Sequence, residues 1–358
     1  MRPATRSALA LAVLWAPPPA RAAGARESDV PISQSIMRDG AIRYGVWVKV
    51  GERSVLALLD TGSTGLRILP SVFRGDPVGV PTEAVFGSGA RLRGVAVRMP
   101  VAIGGRAGTA AVEVVQDLDC VEERPDCDVA RLGGESYLIG GDGFSSEGYS
   151  AILGIGLPFR GTDVGNPLAE LGVTRWIVDL PRPYAAAEGH LILDPEPRHR
   201  DGFSMLERHG FADGDGCVRA APMAKEACGS VLFDTGGPAV SVSLAEIKAE
   251  SAWPRGTAGA FTFKAEGRSI PLDFETGRTG GMIGGLVSPP APHDPPGAFI
   301  LAGVEPYFSY DLLYEPESHR VGLKKRVPPF RIPEPADDRD DESGGPPRPS
   351  RHRARRHG

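Results

Sequence analysis

Apolar and polar positions alternate along Ile42-Arg43-Tyr44-Gly45-Val46-Trp47-Val48-Lys49-Val50, the period-two pattern of a half-buried β-strand. Gly51-Glu52-Arg53-Ser54 predicts a turn into the apolar run Val55-Leu56-Ala57-Leu58-Leu59, so a β-hairpin delivers the chain to Asp60. Further strand patterns run from Arg91 to Met99, Val101 to Ile103 and Ala110 to Val115. From Gln116 to Gly148 the chain is rich in Asp, Glu and Gly and is predicted as loop. Helical spacing is confined to short pieces, Pro167 to Leu171 and Leu244 to Glu250. Many short strands joined by turns predict a mostly β protein, and 47 Gly and 34 Pro in 358 residues agree. That length is enough for two hydrophobic cores.

Charge and composition narrow the function classes. A net charge of −5 gives no global attraction to nucleic acid or to an anionic membrane, and no nucleic-acid partner is expected. Residues 1–22 carry the three regions of an export signal: Arg2 and Arg6, the apolar run Ala8 to Ala16, and small residues at Ala20-Arg21-Ala22. The apolar run is too short to span a bilayer, so no transmembrane anchor is expected after signal removal, and the mature chain is placed in the periplasm or outside the cell. Residues 328–358 are Pro-rich, then acidic from Asp337 to Glu342, then basic from Arg348 to Gly358, which predicts a disordered tail. Four cysteines, Cys120, Cys127, Cys217 and Cys228, fall as Cys-x6-Cys and Cys-x10-Cys, without the spacing of a zinc knuckle or a nearby His cluster. No metal is expected. In an oxidising compartment two local disulfides are the economical arrangement, although four cysteines allow three connectivities.

The informative feature occurs twice. Val55-Leu56-Ala57-Leu58-Leu59-Asp60-Thr61-Gly62-Ser63 has its counterpart in Ser230-Val231-Leu232-Phe233-Asp234-Thr235-Gly236-Gly237, about half a chain later. Each aspartate follows a buried-strand run, where an unpaired charge is costly. Two such carboxyl groups face to face cannot both ionise easily and share a proton. The ionised one can draw a proton from water as it attacks a peptide carbonyl, while the protonated one hydrogen-bonds the carbonyl oxygen. Gly62 and Gly236 permit a tight turn that aims backbone N–H groups at the carboxylates. The hydroxyls of Thr61 and Thr235 can tie the two turns together. The repeat implies two related halves, an N-terminal β-lobe over 41–185 and a C-terminal β-lobe over 186–327, preceded by a short segment over 23–40.

With these residues in view the chain resembles the pepsin-like aspartic peptidases over most of its length. Asp60-Thr61-Gly62-Ser63-Thr64-Gly65-Leu66-Arg67-Ile68 resembles the first active-site segment of that family, and Glu83-Ala84-Val85-Phe86-Gly87-Ser88-Gly89 its flap hairpin. Ala151 to Gly156 resembles the strand supporting the first active-site loop. Asn166 to Leu171 with Gly189 to Leu193 resembles the connection between the lobes. Phe299 to Val304, Tyr307-Phe308, Asp311 and Val321-Gly322-Leu323 resemble the C-terminal signature. The resemblance implies a bilobal acid-protease fold with its site in the cleft between lobes. Asp60 and Asp234 would be catalytic, supported by Thr61, Gly62, Ser63, Thr235 and Gly236. Phe86, Gly87 and Ser88 would meet a peptide or protein substrate, and Cys217 with Cys228 would close a small loop before the second motif. It further implies no cofactor, a monomer, and activity confined to acid or weakly acidic conditions. The segment from Ala23 to Gly40 is shorter than a family prosegment and carries no basic cluster, so no inhibitory propeptide is expected.

Four positions depart from the family pattern. Phe86 stands where a tyrosine is usual and lacks a hydroxyl. Gly237 removes a hydroxyl partner of Asp234, Ala302 replaces a supporting glycine with Gly303 one place later, and Arg67 occupies the place of a large aromatic residue. Phe86, Gly237 and Ala302 support an alternative, a pepsin-fold binding or inhibitor protein of weak or no turnover. A serine hydrolase is set aside because no Gly-x-Ser-x-Gly elbow occurs, the stretch from Gly143 to Gly148 included. Gly154-Ile155-Gly156 lacks the third glycine of a dinucleotide loop.

Overall fold

A computed structural model of the chain describes residues 26–327 except 74, 135, 142–146, 158–163, 209–211, 222, 224, 278–284 and 291–296. The export signal (1–22), the charged tail (328–358) and most of the stretch from Gly143 to Gly148 lie outside the described residues. The protein is mostly β. In chain order the strands of its first part are β1 (Ser28–Ile36), β2 (Ile42–Val50), β3 (Arg53–Asp60), β4 (Thr64–Ile68), β5 (Val80–Val85), β6 (Ala90–Ile103), β7 (Arg106–Cys120), β8 (Ala151–Ile155), β9 (Trp176–Asp179) and β10 (Gly189–Leu193). There follow β11 (Ser204–Met205), β12 (Gly214–Ala220), β13 (Ala227–Phe233), β14 (Val240–Ser243), β15 (Ser251–Trp253), β16 (Ala258–Ala265), β17 (Arg268–Glu275), β18 (Gly285–Ser288), β19 (Ala298–Gly303), β20 (Tyr310–Glu315) and β21 (Arg320–Lys325). The helices are short: α1 (Asp128–Leu132), α2 (Pro167–Glu170), α3 (Pro197–Arg200) and a 3-10 turn at Glu305–Phe308. Among the described residues no helix is long and apolar enough to cross a membrane.

The strands form two sheets, one of 13 strands in the order β11-β21-β20-β9-β10-β1-β2-β3-β8-β4-β7-β6-β5 and one of 8 in the order β15-β18-β14-β19-β13-β12-β16-β17. One pairing scheme occurs in both. β3 pairs antiparallel with β2 and parallel with β8, and β8 in turn lies antiparallel to β4, which runs parallel to β7. Likewise β13 pairs antiparallel with β12 and parallel with β19, β19 lies antiparallel to β14, and β14 runs parallel to β18. In each sheet a later strand is inserted between the two strands that flank an Asp-Thr-Gly turn. The turn must therefore cross the end of the inserted strand. The C-terminal strands β20 and β21 return to the first sheet, β20 pairing with β9.

Buried side chains explain why the turns are held. Leu59 and Phe233, just before each aspartate, are fully buried. Phe233 meets Phe263 edge to face at 5.4 Å, and Phe263 stacks on Phe261, which stacks on Phe274 at 4.5 Å. Each aromatic pair is worth about 0.5–1.5 kcal/mol beyond its buried area. In the first sheet, Thr64 and Asn166 both donate to the Gly156 carbonyl, at 3.2 and 3.1 Å, fixing the end of β8 beneath the Asp60 turn. Asn166 also caps α2, where Pro167 takes the first helical position.

Three local expectations are revised. β1 forms within the polar stretch before Ile42. Only Val30 and Ile32 of it are buried, and its place is set by backbone pairing with both β10 and β2. β7 continues to Cys120 and α1 forms inside the stretch expected as loop, because β7 keeps pairing with β6 all the way to Ala90. Leu244–Glu250 is not a helix but a turn, with Ile247 N donating to Leu244 O at 3.0 Å. The segment is the direct connection between β14 and β15. The disulfides are Cys120–Cys127 and Cys217–Cys228, the second linking directly opposed residues of β12 and β13.

Candidate active site

Asp60 closes β3 and Asp234 follows β13, and the two carboxyl groups face each other across Gly236, where a Cβ would lie 3.0 Å from Asp60 Oδ1 and 3.1 Å from Asp234 Oδ1. Asp60 is 4% exposed. Its Oδ1 accepts from Gly62 N at 2.7 Å and Ser63 N at 3.1 Å, and its Oδ2 accepts from Ser63 Oγ at 2.5 Å. Asp234 Oδ1 accepts from Gly236 N at 2.8 Å, while Gly237 N donates to the Asp234 backbone carbonyl at 3.3 Å. The hydroxyl donor at Ser63 thus has no counterpart on Asp234. Burial, and then the facing Asp60, hold the Asp234 carboxyl well above the usual carboxylate range.

Close approach accounts for the glycines. A Cβ at Gly62 would lie 2.5 Å from Asp234 Cγ, and one at Gly236 would lie 3.0 Å from Asp60 Cγ. Each glycine therefore makes room for the opposite carboxyl group. Gly237 is under a similar constraint, since a Cβ there would lie 2.7 Å from Asp234 Oδ2. On this backbone the position removes a hydroxyl and also admits the carboxylate.

Thr61 and Thr235 join the turns reciprocally. Thr61 N donates to Thr235 Oγ1 at 3.1 Å and Thr235 N to Thr61 Oγ1 at 3.0 Å. The Thr61 hydroxyl donates to Phe233 O at 2.8 Å, and that of Thr235 to Leu59 O at 2.7 Å. Both threonines are buried, so these four bonds, each worth about 1 kcal/mol net, leave no polar atom of the grip to water.

Phe86, Gly87 and Ser88 form the tip of the β5–β6 hairpin, closed by Phe86 N to Ala90 O at 3.0 Å and Gly89 N to Phe86 O at 2.8 Å. Gly87 and Ser88 are exposed and Phe86 is half-buried. The Arg67 guanidinium lies 5.8 Å from the Phe86 ring centroid and pairs with Glu113 at 2.7 Å, both charges being buried. A cation–π contact thus links the hairpin tip to the strand leaving Asp60. The Cys120–Cys127 loop reaches the same tip through Val121 N to Gly89 O at 2.9 Å, and its Arg124 pairs with Glu250 at 2.7 Å.

The structural roles of three further residues are not legible in the sequence. Asp213, 2% exposed, accepts from Phe233 N at 2.9 Å, and burial pushes its carboxyl up to about 7. In sequence it reads as a turn residue. Glu113 looks like an ordinary strand position, and only the parallel β4–β7 register sets it opposite Arg67. Tyr307 belongs to the C-terminal pattern, yet its contact with Thr61 is not legible there. Compared with known proteins, the chain matches no family model and no curated protein.

Two carboxyl groups sharing a proton, fixed by backbone donors on rigid turns, can supply a base and an acid at once.

Proposed function

We propose that the chain is an exported aspartic endopeptidase of the pepsin-like, two-lobed type, its site lying between the halves that carry Asp60 and Asp234. The observation that carries this reading is the facing Asp60–Asp234 pair with its reciprocal Thr61–Thr235 grip. The repeated pairing scheme around the two turns supports two related lobes. Two disulfides support an oxidising compartment.

The donor count assigns the roles. Burial and the facing Asp60 raise the Asp234 carboxyl, and Asp60 alone has a hydroxyl donor, from Ser63, so the shared proton is assigned to Asp234. Asp60 takes a proton from water as the water oxygen bonds to the peptide carbonyl carbon. Asp234 gives its proton to the carbonyl oxygen, and a gem-diol forms. On collapse the C–N bond breaks, the amine nitrogen takes the proton from Asp60, and a gem-diol hydroxyl returns its proton to Asp234. Rate falls as pH rises through the raised pKa of Asp234, because the acid is then lost.

The test is cleavage of a diverse peptide library by the mature protein from about pH 3 to pH 8, with a pepstatin-type inhibitor and Asp60→Asn as controls. Acid-range cleavage abolished by both controls is expected. Absence of cleavage at every pH by folded protein overturns the peptidase reading and leaves a binding protein.

A further inference from the structure

We propose that the Arg124–Glu250 ion pair is a latch across the entrance to the dyad: it ties the loop beside the β5–β6 hairpin to the opposite half, and an incoming peptide chain must part it. This rests on reading Asp60 and Asp234 as a working pair between two halves. Arg124 Nη2 donates to Glu250 Oε2 at 2.7 Å. Arg124 lies in the Cys120–Cys127 loop that follows β7 of the first sheet, and Glu250 lies in the connection from β14 to β15 of the second. β14 is the strand that leaves the Asp234 turn.

Strand alternation places the loop on the dyad side of its sheet. Leu58 and Asp60, two residues apart on β3, point to one face. Phe86 at the hairpin tip, Cys120 and Cys127 all pack in one cluster with Leu58. The hairpin and its neighbouring loop therefore stand on the face to which Asp60 points. The halves are thus tied at the turns by the Thr61–Thr235 grip and beside the hairpin by Arg124–Glu250. The way to the carboxyl groups under the hairpin runs between those two ties. One other ion pair joins the sheets among those with a measured separation, Arg320 of β21 with Glu266 in the β16–β17 turn, and β21 lies toward the opposite end of the first sheet from the hairpin.

The latch is firm at its base and weak at its tip. The disulfide closes the loop, Arg124 N donates to Val121 O at 3.1 Å, and Cys127 N donates to Arg124 O at 3.2 Å. Val121 N donates to Gly89 O at 2.9 Å, and a Cβ at Gly89 would lie 2.6 Å from Arg124 Cβ. Displacement of Arg124 is therefore felt directly by the hairpin. The charged ends are different. Their side chains are 41% and 48% exposed, so water screens the pair and it adds little to the stability of the fold. A tie of that strength favours the closed arrangement only a few-fold and yields to a binding chain.

Arg124→Glu sets two like charges against each other. The assay uses the mature protein at a fixed pH of about 6, where exposed carboxylates are ionised. KM for a peptide substrate is expected to fall by about two- to fivefold with kcat unchanged, because a larger fraction of the protein is open to substrate. Adding Glu250→Arg restores the pair in reverse and is expected to return KM to the wild-type value. Wild-type KM is also expected to fall as NaCl rises from about 20 mM to about 500 mM, while that of Arg124→Gln stays level. Arg124→Gln carries the comparison if Arg124→Glu does not fold, and Arg320→Gln is the control for simple loss of an ion pair between the sheets. Amide hydrogen exchange over residues 83–92 reads the latch without substrate, and is expected to be faster in Arg124→Glu by a similar factor and restored in the swapped pair. A protein whose hairpin exchange responds in this way but that cleaves nothing fails the peptidase reading and leaves the latch standing. Hairpin exchange at the wild-type rate in the folded variants, or a KM that does not move while cleavage persists, overturns the latch.

Discussion

Replacing Asp213 by Asn changes a buried charge site while keeping its shape. The carboxyl accepts from Phe233 N, the residue before Asp234, and burial pushes its pKa up to about 7. An unfolded aspartate titrates at about 3.9. Between those values the folded chain keeps a proton that the unfolded chain has lost. The stability it contributes is therefore complete below about pH 4 and is lost as pH rises through 7. A window about three pH units wide, at about 1.4 kcal/mol per pH unit, amounts to about 4 kcal/mol. Asn stays neutral throughout and its side-chain oxygen can still accept from Phe233 N. The difference in unfolding free energy, variant minus wild type, should thus be near zero at pH 4 and rise to about 4 kcal/mol in favour of Asn at pH 8. Urea denaturation at matched pH values measures it, and with a slope near 3 kcal/mol/M the midpoint moves by more than about 1 M. Subtracting the wild type removes the contributions of Asp234 and Asp311, which burial also raises. A difference that stays flat between pH 4 and pH 8 would refute the argument, because Asp213 would then titrate as an ordinary carboxylate.

Other perturbations test other parts of the site. Gly62→Ala places a methyl group 2.5 Å from Asp234 Cγ, so cleavage should fall by about 100-fold; activity within a few-fold of wild type would show that the turns are not held this closely. Glu113→Gln strands the buried Arg67 charge and should cost about 3–5 kcal/mol, whereas Arg67→Met with Glu113→Leu should recover most of that in the same denaturation assay. Joint Cys217→Ser and Cys228→Ser substitution opens a loop of sequence separation 11 and should cost about 3 kcal/mol, read as a lowered thermal midpoint; an unchanged midpoint would count against the cross-link.

Much of the local structure is legible in the sequence. The alternation over Ile42–Val50 and the apolar run before Asp60 specify β2 and β3, since a strand with one buried face must repeat every second residue. The repeated Asp-Thr-Gly after an apolar strand singles out Asp60 and Asp234, and local spacing makes the two observed disulfides the economical choice among three connectivities. β1 is less legible, because its polar composition hides a strand made by two neighbours.

Local pattern alone therefore specifies the mostly β character, the two aspartates and the residue types around them, all consequences of short-range periodicity and turn chemistry. What those residues meet is set by long-range pairing. Insertion of β8 and β19 between the strands flanking each turn, the register that opposes Arg67 to Glu113, and the return of β20 that carries Tyr314 to Tyr307 are pairings between distant segments. Such pairings depend on which buried faces and backbone edges satisfy one another across the whole chain, and no local pattern encodes that choice.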